Sequence, residues 1–393
     1  HLLGIINDIL DVSKMEAGKL SIEHIAFDLE KVLANVSNLI SDKVTAKGLE
    51  LIIDVDRNVP NNLVGDPLRL SQVLINYANN AVKFTAKGEV DVVVRVRELT
   101  GQDVLLYFAV RDTGIGLSPE QCSKLFQSFQ QADSSTTRQF GGSGLGLAIS
   151  KKLVDMMQGE VGVDSVLGQG STFWFTVRLG RGVAAPPQRV LSSDMLDHRA
   201  LVVDDNESAR AVLRDMLESM GLVVEEATGG AEAIHAVDQA EVRNQAFDFV
   251  FMDWQMPGMD GIETATRLQA RPLKRLPNVV MVTAFGREEV LKAASEAGVK
   301  DVLIKPVSAS LLFDSVLSMM GAAPEGRRGS TEAPSLSAEN LADIKGARIL
   351  LVEDNDLNQE VATELLRDAG FIVDVADNGA IAVQKVQQAS FDL

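Results

Sequence analysis

Apolar residues divide this chain into stretches of different period. Over the first twenty positions Leu2, Ile5, Ile9 and Val12 recur at spacings of three and four, with Leu3, Ile6 and Leu10 in an adjacent stripe. That is helical periodicity, and two stripes call for partners on two sides, as in a helical bundle. An ordinary core helix satisfies the same pattern. Gly18 stands where such a helix could end. From about Phe27 to Leu179 the pattern alternates, with strands expected at 49–55, 89–98, 104–111 and 171–178 and long helices between them. An α+β layered domain follows. The run Gly182-Val-Ala-Ala-Pro-Pro187 interrupts it as a linker.

Beyond the linker the chain repeats itself. Arg199-Ala-Leu-Val-Val-Asp204-Asp205-Asn206 is echoed by Arg348-Ile-Leu-Leu-Val-Glu353-Asp354-Asn355, an offset (348 − 199) that also relates Gly221 to Gly370 and Gly230 to Gly379. So long a period indicates a duplicated domain rather than a solenoid. In the first copy, short apolar strands at 200–203, 247–252, 279–282 and 301–304 alternate with helical stretches, which predicts a doubly wound parallel sheet. A Pro/Gly/Ser/Glu-rich linker follows, and the second copy has only begun when the chain ends at Leu393.

Composition narrows the class. The chain has 393 residues, too many for one ordinary core, with 46% hydrophobic and 23% charged residues, the profile of globular domains. Its formal net charge of -18 excludes the basic footprint that nucleic acid or an anionic membrane needs. Cys122 is the only cysteine, so no internal disulfide or cysteine-rich zinc site can form. No apolar run approaches the roughly 20 residues that span a bilayer, and no signal peptide opens the chain. His1 stands where a Met would open a complete chain, so both ends read as cuts.

Three clusters in the first half carry candidate chemistry. A helix is introduced by Asp66 as N-cap and Pro67, with Leu70, Val73, Leu74, Tyr77 and Ala81 on its apolar face. Asn76, Asn80 and Lys83 project together from a neighbouring face, and such a set can hold hydrated Mg²⁺ and phosphates. A merely solvated face has the same pattern. Asp112-Thr-Gly114-Ile-Gly116 follows a strand; its carboxylate can accept from an exocyclic amine, and its glycines admit a flat base. A plain turn would also suit. Gly141-Gly142-Ser143-Gly144-Leu145-Gly146-Leu147 opens a helix, where exposed backbone N–H groups can cradle phosphate, although helix-opening glycines often bind nothing.

In this order the three clusters resemble the ATPase domain of histidine kinases, within the GHKL superfamily. Leu125-Phe-Gln-Ser-Phe129 looks like its phenylalanine box, Arg138 falls in its ATP lid, and Gly168-Gln-Gly-Ser-Thr172-Phe173 resembles its last glycine box. The helix ending Ser13-Lys-Met-Glu-Ala-Gly-Lys19 is similar to the second helix of the dimerisation and histidine-phosphotransfer domain. The resemblance implies ATP and Mg²⁺ as cofactors. Asp112, Gly114 and Gly116 would meet adenine, Asn80 with Asn76 would bind Mg²⁺, and Lys83, Arg138, Gly142, Gly144, Gly146 and Thr172 would hold the nucleotide. Water-activating members such as DNA gyrase have a Glu where Asn76 stands. An amide cannot act as general base, which favours phosphoryl donation to protein over hydrolysis.

In the duplicated domain, Asp204 and Asp205 end the first expected strand, Asp253 the third, and Thr283 and Lys305 the next two. Ligands bind at the carboxyl edge of doubly wound sheets, so these five should converge, with the carboxylates around a cation. Any one of them alone could be a cap or turn residue. Together with Asp253-Trp-Gln-Met-Pro257 and Lys305-Pro306 they resemble response-regulator receivers. That resemblance makes Asp253 the phosphoacceptor, places the Gln255 carbonyl in the metal site, and gives Glu353 and Asp354 the same role in the second copy. Val302 departs from the family, which has an aromatic switch residue there.

The resulting expectation is a hybrid sensor histidine kinase. Residues 1–20 would be part of the bundle, 21–181 a GHKL ATPase sandwich, 182–197 a linker, and 198–321 a flavodoxin-like receiver. A linker at 322–346 and a second receiver at 347–393, cut before its acceptor, would complete the chain. His1, His24, His198 and His235 sit in no acceptor context, so the phosphorylated histidine is expected outside this sequence. Expected partners are a second copy through the upstream bundle, a histidine-phosphotransfer protein or domain, and a downstream response regulator, with no direct nucleic acid. The expected location is the cytoplasmic side of a bacterial inner membrane. A non-catalytic scaffold that binds ATP and senses phosphorylation is the alternative.

Overall fold

The computed structural model describes residues 20–123, 125–126, 146–182, 198–284, 288–320, 346–353 and parts of 359–392. The expected helix over 2–20 lies outside them, except for Leu20. The chain forms two compact units, residues 1–322 and 323–393.

The first unit begins with a mixed seven-stranded sheet. Its strands are β1 (Ile25–Asp28), β2 (Glu50–Val55), β3 (Asn62–Gly65), β4 (Glu89–Leu99), β5 (Asp103–Asp112), β6 (Val161–Val166) and β7 (Gly170–Arg181). They run in the order β1-β3-β7-β5-β4-β2, with β6 also paired to β7. The long central strands were legible from their Val, Ile and Phe content. The sequence reading missed β1, β3 and β6, which are short or interrupted by Gly, Asp and Ser.

Helices cover one face of this sheet. α1 (Leu29–Lys47) is capped by Asp28 and closed by Gly48 in the left-handed region at φ 63. α2 (Pro67–Phe84) starts as expected, with the Asp66 side chain accepting from Arg69 N–H and Pro67 in the first turn. Lys47 donates to the carbonyls of Val82, Lys83 and Thr85 at 2.6, 3.0 and 3.1 Å, and so satisfies the open end of α2. The single turn α3 (Pro119–Cys122) and the helix α4 (Gly146–Met156) complete the domain. Leu70, Val73, Leu74 and Tyr77 pack on Val92 of β4, Phe108 of β5 and Phe175 of β7 in one core.

A parallel five-stranded sheet follows. It comprises β8 (Arg199–Val203), β9 (Val223–Ala227), β10 (Phe249–Asp253), β11 (Asn278–Thr283) and β12 (Asp301–Ile304), ordered β12-β11-β10-β8-β9. That is the flavodoxin-like order. α5 (Glu207–Ser219) and α9 (Ala309–Met319) lie over one apolar face, and α6 (Gly230–Val242) and α7 (Gly261–Gln269) over the other. α8 spans Glu288–Glu296. The edge strand β9 escaped sequence reading because Glu225 and Glu226 break its apolar run; Arg199, Arg210 and Arg214 pair with them. Charges on an edge strand discourage further strand addition.

In the second unit β13 (Arg348–Val352) pairs in parallel with β14 (Ile372–Ala376), and α10 (Gly379–Gln388) follows. Arg348 lies opposite Ile372 as Arg199 lies opposite Val223, so the duplication extends to register.

Candidate functional site

The carboxyl edge of the parallel sheet gathers the five residues expected there. Asp204 leaves β8, Asp253 ends β10, Thr283 ends β11, and Lys305 follows β12 with its N–H on the Thr283 carbonyl at 2.7 Å. Lys305 Nζ lies 2.8 Å from Asp204 Oδ2 and 2.9 Å from Asp253 Oδ1. A third carboxylate arrives from the first sheet: Glu50 Oε1, on β2, is 2.6 Å from the same ammonium. Three carboxylates around one lysine hold its ammonium above its ordinary pKa, against the opposing effect of burial.

Asp253 shows the converse balance. Burial and the neighbouring Asp204 and Glu50 carboxylates push its pKa up to about 7, although Lys305 pulls the other way. Carboxylate oxygens of Asp204, Asp205 and Asp253 fall within 4.8 Å of one another. Such crowding suits a hard divalent cation, so the donor set fits Mg²⁺. Asp204 is steadied by Asn206, whose N–H donates to Oδ1 at 2.8 Å, and by Arg210, which donates to its carbonyl. Gly261 passes so close to the Asp253 carbonyl that an added Cβ would lie 2.4 Å from it. Gln255 is exposed beside the site. Val302 is half-buried against the apolar cluster under α6 and α7, with no aromatic ring at that position. In the second unit Glu353 follows β13 with its N–H on the Ala376 carbonyl; Asp354 lies outside the described residues.

The first sheet builds a second site between α2, α4 and the end of β5. The buried face of α2 turns Asn76, Asn80 and Lys83 the other way, all half-buried. Asn76 Nδ2 donates to Ser150 Oγ on α4 at 2.8 Å, and a Cβ on Gly146 would lie 2.6 Å from Asn76 Oδ1. Gly146 therefore lets the start of α4 approach the Asn-bearing face. Burial lowers the Lys83 pKa. Asp112 is buried, and burial raises its pKa, while the backbone N–H groups of Gly114 (2.8 Å) and Ser171 stabilise its charge.

The glycines after Asp112 also serve packing within the protein. A Cβ on Gly114 would meet the Phe84 carbonyl at 2.5 Å, and one on Gly116, at φ 63, the Val166 carbonyl at 2.0 Å. Thr172 does not share a face with Asp112. Register pairs Asp112 with Ser171 and Arg111 with Thr172, so strand alternation puts Thr172 on the outer face. Ser171, buried and bonded to Ser165, is the residue on the Asp112 side. Counting parity along the two strands from Asp112 could have found it. Glu50 was also missed, because nothing in the sequence links it to Lys305. Arg138, Gly142 and Gly144 lie outside the described residues.

Comparison with known proteins agrees with both domains. Residues 65–181 match the histidine kinase-, DNA gyrase B- and HSP90-like ATPases, and residues 200–317 match the response regulator receiver domain. The chain joins a histidine kinase-type ATPase domain to a receiver domain, and its relatives are sensor histidine kinases. It is 36% identical over 399 residues to the sensor histidine kinase GacS of Pseudomonas protegens, covering 100% of this chain and 42% of that protein. It is 31% identical over 397 residues to BarA of Escherichia coli K12, covering 100% of the chain and 41% of the relative. The chain thus spans about two-fifths of the length of these relatives. A structure of full-length ShkA in complex with AMPPNP aligns over 100% of this chain and 75% of its own, with a TM-score of 0.66 and 29% identity. No helix among the described residues is long and apolar enough to cross a membrane.

Proposed function

We propose that this hybrid kinase chain binds Mg·ATP between α2 and α4, donates the γ-phosphoryl group to a histidine, and receives it again on Asp253. The observation that carries the reading is the Asp253–Lys305–Asp204 constellation, with Asp205 beside it, at the carboxyl edge of a parallel sheet. An Oδ of Asp253 attacks phosphorus as the bond to the donor imidazole nitrogen breaks, and the imidazole keeps the electron pair and takes up a proton. Lys305 neutralises charge on the phosphoryl oxygens, and the Thr283 hydroxyl donates to one of them. Asp204, Asp205, Asp253 and the Gln255 carbonyl would hold Mg²⁺, which would supply further positive charge there. In the ATPase domain Asp112 would accept from the adenine amine, while Asn76 and Asn80 hold the nucleotide's Mg²⁺ and Lys83 its phosphates. Ser171 takes the place first given to Thr172. The complex of full-length ShkA with AMPPNP supports nucleotide binding by this chain.

We further propose dimerisation through an upstream helical bundle, an onward histidine-phosphotransfer partner and response regulator, and a place at the cytoplasmic side of an inner membrane; the relatives' names as signal-transduction histidine kinases support the phosphorelay itself. The receiver step is tested by incubating the chain with Mg²⁺ and acetyl phosphate and measuring intact mass. One phosphoryl adduct is expected, abolished by Asp253→Ala and slowed by Lys305→Ala. A folded wild-type receiver that forms no adduct would refute the assignment and leave the domain a scaffold.

A further inference from the structure

The receiver's acceptor edge is not open to solvent on all sides. It faces β2, the edge strand of the ATPase sheet, and a cleft between the domains is lined by Glu50, Ile53, Val212, Met216, Lys305 and Val307. Three ATPase-domain glutamates make the polar contacts. Glu50 pairs with Lys305 at 2.6 Å. Glu89 accepts from Asn206 Nδ2 at 2.7 Å and from Ser208 Oγ at 3.0 Å. Glu30 accepts from Ser310 Oγ at 2.5 Å and from its N–H at 3.3 Å. Asn206 and Ser208 start the helix after Asp204, and Ser310 starts the helix after Lys305, so all three contacts clamp the loops that form the acceptor site.

The Glu50 contact has a consequence the other two lack. Among the described residues Lys305 is the one ammonium within ion-pair distance of Asp253, and Glu50 holds a place on it that a phosphoryl oxygen would need. Converting the Asp253 carboxylate to an acyl phosphate adds negative charge within a few ångströms of Glu50, in a setting where water screens it poorly. We infer that a phosphoryl group on Asp253 and the Glu50–Lys305 contact exclude one another, so that receiver phosphorylation releases the receiver from the ATPase sheet and docking in turn slows phosphorylation. Linkage makes the equilibrium effects reciprocal: docking disfavours the phosphorylated receiver by as much as phosphorylation disfavours docking. The inference rests on Asp253 being the acceptor, as proposed above. It makes Glu50 a regulatory residue that takes no part in nucleotide binding.

Two measurements test it on the full chain. The rate of Asp253 phosphorylation by acetyl phosphate in Mg²⁺ is followed by intact mass in the wild type, Glu50→Gln and Glu30→Gln. Couplings of this kind change equilibria by roughly 5- to 150-fold, so Glu50→Gln should accelerate the reaction at least about fivefold. Glu30→Gln, which leaves Lys305 untouched, should act in the same direction through docking alone. Spin labels at Leu99→Cys and Val242→Cys, in a Cys122→Ser background, report the distance between domains. Beryllofluoride with Mg²⁺ should lengthen and broaden that distance relative to Mg²⁺ alone. Equal rates in all three proteins, with the adduct present in each, would overturn the coupling while leaving the acceptor assignment standing. Acceleration by Glu50→Gln alone, with label distances unmoved, would reduce the effect to local charge and also overturn it. Absence of the adduct everywhere would remove the acceptor assignment itself.

Discussion

Replacing Asp91 by Asn should stabilise the ATPase domain, and increasingly so as pH rises. Asp91 lies on β4 with 5% of its surface exposed, and its Oδ1 has no hydrogen-bond partner among the described residues. The nearest cation, Arg111, is 4.0 Å away and itself 58% exposed, so it offers little compensation. Burial, then the like charge of Glu89, push the Asp91 pKa from its ordinary 3.8 up to about 7. Between those values the folded chain keeps a proton that the unfolded chain has released. Stability is therefore greatest near pH 4 and falls as pH rises through 7. Three units at about 1.36 kcal/mol each give a loss near 4 kcal/mol by pH 8. An amide has the same shape and no charge to bury, although its own unpaired polar atoms cost about 1–3 kcal/mol. Asp91→Asn should then gain roughly 1–3 kcal/mol over wild type at pH 8, and less towards pH 5. Urea unfolding followed by Trp174 fluorescence, with Trp254→Phe in both proteins to silence the receiver, measures this directly. A wild-type midpoint that stays flat from pH 5 to 8, with no gain from the amide at pH 8, would refute the argument.

Other outcomes follow from the nucleotide site. Asp112→Asn loses a charge-assisted hydrogen bond contributing about 1.5–3 kcal/mol, so calorimetric ATP affinity should fall about tenfold or more; unchanged binding would remove Asp112 from the site. Ser171→Ala should weaken ATP binding whereas Thr172→Ala should not, because only Ser171 shares the Asp112 face; the same titrations decide it, and the reverse order would refute the strand register. Gly146→Ala drives a Cβ to within 2.6 Å of Asn76 Oδ1, so it should reduce Mg·ATP affinity while far-UV circular dichroism stays that of wild type.

Periodicity located the long elements because each buries one face. α2 carries its buried residues at helical spacing behind an Asp66 cap, and β10 is apolar along its whole length because helices cover both sides of its sheet. Short edge strands gave no such signal. β1 and β3 have four residues each and exist because they pair with one another and β3 with β7, a long-range condition that local pattern does not encode. The glycines near Asp112 were legible as special, but their cause was not: carbonyls of Phe84 and Val166, distant in sequence, occupy the space a side chain would fill.

The sequence by itself determined the two domain types, the duplication, and the chemistry at the ends of four strands. Strand order in a doubly wound sheet follows from right-handed crossovers, so Asp204, Asp253, Thr283 and Lys305 had to meet at one edge once their strands were recognised. Tertiary structure alone decided which face each strand residue takes, and so exchanged Thr172 for Ser171; a shift of one residue in register moves every side chain to the other side. It alone brought Glu50 to Lys305 across 255 residues of chain. The physical reason is common to both. Alternation and capping act between neighbours in sequence, whereas pairing register and domain contact are fixed by interactions between surfaces that exist only after each domain has folded.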